Sequence, residues 1–130
     1  MQEKHLFEYA VIRVMPRVER EEFLNVGVVV YCPAQNFLQT IYELDEQRLH
    51  ALCEELDIEE LENYLKAFTQ VCTGGEQGGA IGKLTITSRF RWLTATRSTV
   101  VQTSKVHLGL CTDAGETLRR LHTQLVGRPS

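Results

Sequence analysis

The sequence predicts an α+β protein, an antiparallel sheet of about four strands with helices packed on it, in a single domain over residues 1–130. Three runs rich in β-branched and aromatic residues precede Asp45, and beyond it the apolar residues recur with a period near 3.6 instead of two. Size is the third observation: 130 residues can bury one substantial core and are too few for two independent ones.

Leu6 to Met15 (LFEYAVIRVM) and Phe23 to Cys32 (FLNVGVVVYC) are apolar at most positions of both parities, as suits inner strands covered on much of both faces. Phe37 to Leu44 (FLQTIYEL) is the third run, and Pro33 to Asn36 supplies the turn-forming residues of a short hairpin, so the chain opens as a meander. Asp45 is placed to cap a helix with Leu49, Leu52, Cys53 and Leu56 on one face. Asp57, with Glu60 three positions on, caps a second whose Leu61, Leu65, Phe68 and Cys72 form one stripe. That helix stops at TGGEQGGAIG, residues 73–82, where five glycines leave the backbone too free to continue and predict a flexible loop inside the domain.

Ile86, Phe90 and Leu93 recur at helical spacing, so Thr87 to Leu93 reads as a short helix with Phe90 toward the core and Arg89 and Arg91 splayed outward. Ser98 to Ser104 (STVVQTS) has the β-branched content of a fourth strand. Asp113, with Glu116 three positions later, starts a last helix whose buried stripe is Leu118, Leu121 and Leu125 and whose end is marked by Gly127 and Pro129.

Composition narrows the functional classes. No apolar run approaches the roughly 20 residues that span a bilayer, and MQEKHLFEYA does not open a signal peptide, so a cytoplasmic location without membrane contact is expected. Cys32, Cys53, Cys72 and Cys111 lack the close spacing of a zinc site or redox dithiol and are expected as core or semi-exposed thiols. His5, His50, His107 and His122 are scattered, and HExxH and GxSxG are missing. GGEQGGAIGK fails the P-loop pattern because Lys83 lacks a following Ser or Thr. No catalytic residue, metal or cofactor is assigned.

Charge is uneven. Residues 1–74 hold 6 Lys/Arg against 14 Asp/Glu, and residues 75–130 hold 8 against 3. The acids of Glu54 to Asn63 read as a solvated helical face. Between Ile81 and Thr112 stand Lys83, Arg89, Arg91, Arg97 and Lys105, no carboxylate, and Phe90 and Trp92 interleaved with the arginines. Guanidinium forks grip phosphate or carboxylate bidentately, the hydroxyls of Ser98, Thr99, Thr103 and Ser104 can add hydrogen bonds, and aromatic rings stack on bases. The plainer alternative is a solvated surface, and a pI near 5.8 argues against a dedicated nucleic-acid binder.

In Pro16 to Asn25 (PRVEREEFLN), Arg17 and Arg20 alternate with Glu19, Glu21 and Glu22, which local salt bridges explain. A loop held by rigid strands can also carry function, and Asn25 is a polar insertion at the head of an apolar strand. His107 stands where a general base or phosphate ligand would fit, without an acid nearby in sequence. The candidate binding residues are therefore Arg17, Arg20, Asn25, Arg89, Arg91, Arg97, Ser98, Thr99, Gln102, Lys105 and His107.

YAVIRVMPRVEREEFLNVGVVVYCP, RFRWLTATRSTVVQTSKVHLGLCTD and the closing amphipathic helix resemble the bacterial family known as domain of unknown function 3037 over most of the chain. Its patterns P-R-x-E-R-x-E-F-x-N-x-G and R-F-R-W-L-x-A-x-R-S-T-x-x-Q are filled by Pro16 to Gly27 and by Arg89 to Gln102. Thr96 and Lys105 stand where relatives commonly carry proline, which implies looser turns on either side of the fourth strand. The resemblance brings no established activity. It implies that the two arginine-bearing segments matter, and that the protein has an accessory role beside a kinase similar to the HipA toxin family.

The combined expectation is a binding or accessory module in which Arg17, Arg20, Arg89, Arg91, Arg97 and Lys105 form a positive surface for an acidic or phosphorylated protein partner. The alternative is a nucleotide- or nucleic-acid-processing enzyme using the same arginines with His107. Self-association through an open edge strand is a third reading, with a homo-oligomer as the functional unit.

Overall fold

The computed structural model describes residues 3–97 and 99–127. Strand β1 (His5–Val14) is the spine of an antiparallel sheet. On one side it pairs with β2 (Leu24–Cys32), which pairs in turn with β3 (Phe37–Tyr42). Its other side is shared by β4 (Val101–Thr103), opposite residues 12–14, and β5 (His107–Cys111), opposite residues 5–9. The helices are α1 (Glu46–Leu52), α2 (Ile58–Thr73), the single turn α3 (Gly79–Gly82), α4 (Ile86–Leu93) and α5 (Ala114–Leu125). The α+β architecture follows the sequence expectation.

The apolar positions of both parities in β1 and β2 reflect two cores. On one face, Ala10, Ile12 and Val14 of β1 with Val29 and Tyr31 of β2 meet Leu61, Leu65 and Phe68 of α2 and Phe90 and Leu93 of α4. On the other, Phe7, Val28, Val30 and Cys32 meet Leu118 and Leu121 of α5. Three aspartates cap helices as their spacing predicts: Asp45 accepts from Arg48 N–H (3.2 Å), Asp57 from Glu60 N–H (3.2 Å) and Asp113 from Glu116 N–H (3.1 Å).

Several boundaries differ from the sequence reading. Helix α1 ends at Leu52, and Leu56 packs on the first core from beyond it. Strand β3 ends at Tyr42, and the fourth strand begins only at Val101. Ser98 and Pro129 lie outside the described residues. Helix α4 starts one residue early, at Ile86, after Thr85, whose hydroxyl accepts from Ser88 N–H (3.2 Å).

The glycine-rich segment, expected as a loop, holds two short helical turns. A tight turn, Glu76–Gly78, runs into α3, and Gly75 N–H donates to the Gly82 carbonyl at 2.8 Å. Ile81 packs against the first core and ties the segment down. Strand β5 was not expected at all. Among the described residues no helix is long and apolar enough to cross a membrane.

Candidate functional site

The β1–β2 ladder slips by one residue near its hairpin end: Ile12 faces Gly27, whereas Arg13 faces Asn25. Val26 is the extra residue of this bulge and is buried in the first core beside Val29. Strict alternation from Gly27 would put Asn25 on the face away from Arg13, so the bulge re-aims it toward Arg13. Glycine suits the bend, since a Cβ at Gly27 would lie 2.8 Å from the Ile41 carbonyl oxygen and 2.9 Å from Tyr42 Cβ. On its other side Arg13 faces Gln102 of β4. A polar row, Asn25–Arg13–Gln102, therefore crosses three strands on the face that carries α5.

Hydrogen bonding in this row is incomplete. Asn25 Nδ2 donates to the Leu125 carbonyl in the last turn of α5 at 3.1 Å. That contact orients the amide, because a carbonyl only accepts. Asn25 Oδ1 is then buried without a hydrogen-bond partner among the described residues, and so are Arg13 Nε and, one turn before Leu125, His122 Nδ1. Native interiors leave few such atoms, so a group of them marks a place that needs explanation. The Arg13 guanidinium carbon lies 4.1 Å from the ring centroid of Phe23, which is 43% exposed. Burial pushes the Arg13 pKa down, and no carboxylate among the described residues offsets it. An arginine nonetheless stays cationic at neutral pH. Gln102 Nε2 donates to the Thr99 carbonyl (2.8 Å), and Thr99 Oγ1 to the Val101 carbonyl (2.7 Å).

The other predicted residues are dispersed. Arg17 and Arg20 line a hollow of about 240 Å³ with Ala51, Leu52 and Cys53, and Arg20 pairs with Glu22 at 2.6 Å. Arg89 does not splay outward: its Nη1 donates to the carbonyls of Val71 (2.9 Å) and Cys72 (2.6 Å) at the end of α2, and its Nε to Leu84 (3.2 Å). A helix C-terminus offers free carbonyls and negative potential, so it draws the side chain in. Arg91 forks onto Glu8 with bonds of 2.9 and 3.0 Å, and this hydrogen bonding raises its pKa.

Arg97 donates to the carbonyls of Leu93 (3.2 Å) and Trp92 (2.5 Å) and lies 4.5 Å over the Trp92 ring. Lys105 is exposed between β4 and β5. His107 stacks on Tyr9 with centroids 5.2 Å apart, and among the described residues no hydrogen bond or ion pair joins it to a carboxylate. The structure thus brings Asn25 and Gln102 together through Arg13, and Arg17 with Arg20, while the arginines of α4 and its exit take separate partners.

Cys32, Cys72 and Cys111 are buried and Cys53 is half-buried. Burial pushes the Cys72 thiol up to about 12, with Arg89 pulling weakly the other way. No cluster of three or more His, Cys, Asp or Glu among the described residues is placed to hold a metal ion.

Sequence reasoning missed Arg13, Phe23 and His122. The usable signal was Arg13 itself, a charge inside a run apolar at both parities, where a buried cation demands a partner. A family model described as protein of unknown function (DUF3037) matches residues 9–126, from the middle of β1 to just past α5. No curated protein and no solved structure matches the chain.

Proposed function

We propose, for a chain that belongs to the DUF3037 family of proteins of unknown function, that it is a binding module whose Asn25–Arg13–Gln102 row receives an anionic side chain, carboxylate or phosphate, from a protein partner. The observation that carries this reading is the Arg13 guanidinium, partly buried under Phe23 with no acid among the described residues and its Nε without an acceptor. Arg13 as a whole is only partly buried, so an incoming oxyanion meets its guanidinium in charge-assisted form.

Exposed Phe23 adds apolar contact at the rim, and exposed Arg17 and Lys105 add positive potential that steers an acidic partner. A kinase similar to the HipA family is the first partner to try, on the resemblance of the sequence. Phosphorylation would adjust such a partner's fit, since a phosphate offers more acceptor oxygens than a carboxylate.

The test is an NMR titration of the full chain with a phosphoserine peptide and its serine and glutamate counterparts. The readouts are the Arg13 Nε–H and the side-chain amides of Asn25 and Gln102. Saturable shifts of these signals with the phosphorylated and acidic peptides, and not with the serine peptide, are expected. Arg13→Met keeps the aliphatic stem under Phe23 and should weaken binding about tenfold or more, as loss of a charge-assisted fork implies. Arg91→Met should leave affinity unchanged. Equal binding by Arg13→Met and the wild type would end the proposal.

A further inference from the structure

Strand β5 closes one edge of the sheet, and among the described residues no element pairs with its outer side. Its backbone direction follows from its neighbour. Val11 of β1 accepts from Ser104 N–H (2.8 Å), so the odd residues of β1 turn their N–H and C=O groups toward β4 and β5. Their partners in β5 are His107, Gly109 and Cys111. By the alternation of an antiparallel ladder, Leu108 and Leu110 direct their backbone groups away from the sheet.

The side chains of that edge are also unpaired. Leu108 and Leu110 are 66% and 63% exposed, and Leu6, opposite Leu110 on the same face, is 53% exposed. Exposed edges are ordinarily guarded by lysine, proline or inward charge. HLGLC has none of these.

The segment is complementary to itself. In KVHLGLCTD, residues 105–113, reversal about Gly109 sets leucine against leucine and Lys105 against Asp113, both exposed. We infer that β5 pairs antiparallel with β5 of a second copy across a two-fold axis at Gly109. Leu108 of each copy exchanges backbone hydrogen bonds with Leu110 of the other, and with Leu6 these leucines form one continuous apolar strip. Gly109 faces Gly109 at the close, non-hydrogen-bonded position, where strands approach to about 4.5 Å between Cα atoms. The opposite face at this point is already filled in each copy, because a Cβ at Gly109 would lie 2.7 Å from the Phe7 ring. Charge complementarity and the inverted repeat of apolar residues favour a second copy of this chain over an unrelated strand. The inference does not depend on the anion-binding row.

Sedimentation equilibrium of the full chain tests it, together with hydrogen exchange of the Leu108 and Leu110 amides across a concentration series. A dimer is expected with a Kd on the order of micromolar, as befits a small interface, and both amides should gain protection as it forms. Leu108→Lys alters a mostly exposed side chain twice per dimer and should raise the Kd by about 30-fold or more, by analogy with truncated hot spots. Lys105→Glu sets like charges together and should weaken the dimer, whereas Lys105→Gln, which only removes the attraction, should weaken it less. A chain that stays monomeric up to millimolar concentration overturns the inference and leaves the edge to another protein's strand. A dimer that keeps these two amides unprotected, or ignores Leu108→Lys, overturns it equally.

Discussion

Arg89→Met should destabilise the fold more than any other single arginine change in α4. In the last turn of α2, the Gln70 carbonyl is taken by Gly74 N–H and the Thr69 carbonyl by Thr73 Oγ1, which leaves Val71 and Cys72 to Arg89 Nη1. Hydrogen bonds to a charged group contribute about 1.5–3 kcal/mol each when well buried. Arg89 is only half-buried, so the two bonds together support about 2–3 kcal/mol, with a little more from the cation at the negative end of α2. For a chain of this size that corresponds to a Tm lower by about 6–15 °C.

Thermal and urea unfolding monitored by circular dichroism measure the change, with two controls. Arg89→Lys keeps a charge but not the fork and should recover about half the loss. Arg91→Met removes a pair whose arginine is mostly exposed and should cost no more than about 1 kcal/mol. A stability for Arg89→Met within about 0.5 kcal/mol of wild type, the usual range for surface substitutions, would refute the assignment of Arg89 to the end of α2. The same variant should bind the phosphoserine peptide as the wild type does, which separates a helix cap from a ligand contact.

Asp57→Ala should lower stability by about 1 kcal/mol through loss of the cap on Glu60 N–H, and Asp57→Asn should retain most of it; urea midpoints decide. Labelling by a chromogenic disulfide at pH 8 should modify Cys53 first and Cys72 only on unfolding, because Cys72 is buried and its thiol, pushed up to about 12, stays protonated. The sign of the linked stability follows: the raised thiol favours the folded state below its ordinary range, and that advantage is lost as pH climbs through about 12. Cys72→Ala should therefore show a shallower alkaline decline, measured by unfolding between pH 8 and pH 11.

Local signals were legible where a residue acts through its own neighbours in the chain. The three aspartate caps, the Pro33–Asn36 turn and the stripe of α2 are all short-range, and each appears where its spacing puts it. Strand β5 was illegible for a physical reason. Its leucines point to solvent, Gly109 is half-buried and Cys111 is the buried position, the inverse of the usual apolar-inward alternation, and a central glycine weakens a strand reading further. The short turns of the glycine-rich segment were hidden similarly, because the bond from Gly75 to Gly82 leaves no mark in composition and the anchor at Ile81 is tertiary. Within the binding row, Asn25 could be flagged as a polar insertion, but the bulge that turns it toward Arg13 has no signature in composition alone.

Counting acids was the wrong measure of which arginines are engaged, since a guanidinium can be satisfied by carbonyls. Arg89 and Arg97 stand beside the ends of α2 and α4, and a helix leaves its last four carbonyls free, so the acid-free segment still offers acceptors. A strand interior differs, because ladder pairing on both sides takes the carbonyls there. Arg13 lies on β1 with β2 to one side and β4 to the other, so its neighbours can offer only side-chain acceptors. The amide oxygens of Asn25 and Gln102 are the acceptors at hand, yet Arg13 Nε has no partner among the described residues, and Asn25 Oδ1 stays unpartnered as well. The same rule of backbone pairing that satisfies the arginines at the helix ends leaves a cation in the middle of the sheet without an acceptor for its Nε, which is the ground for proposing that its guanidinium is completed by an oxyanion of a partner.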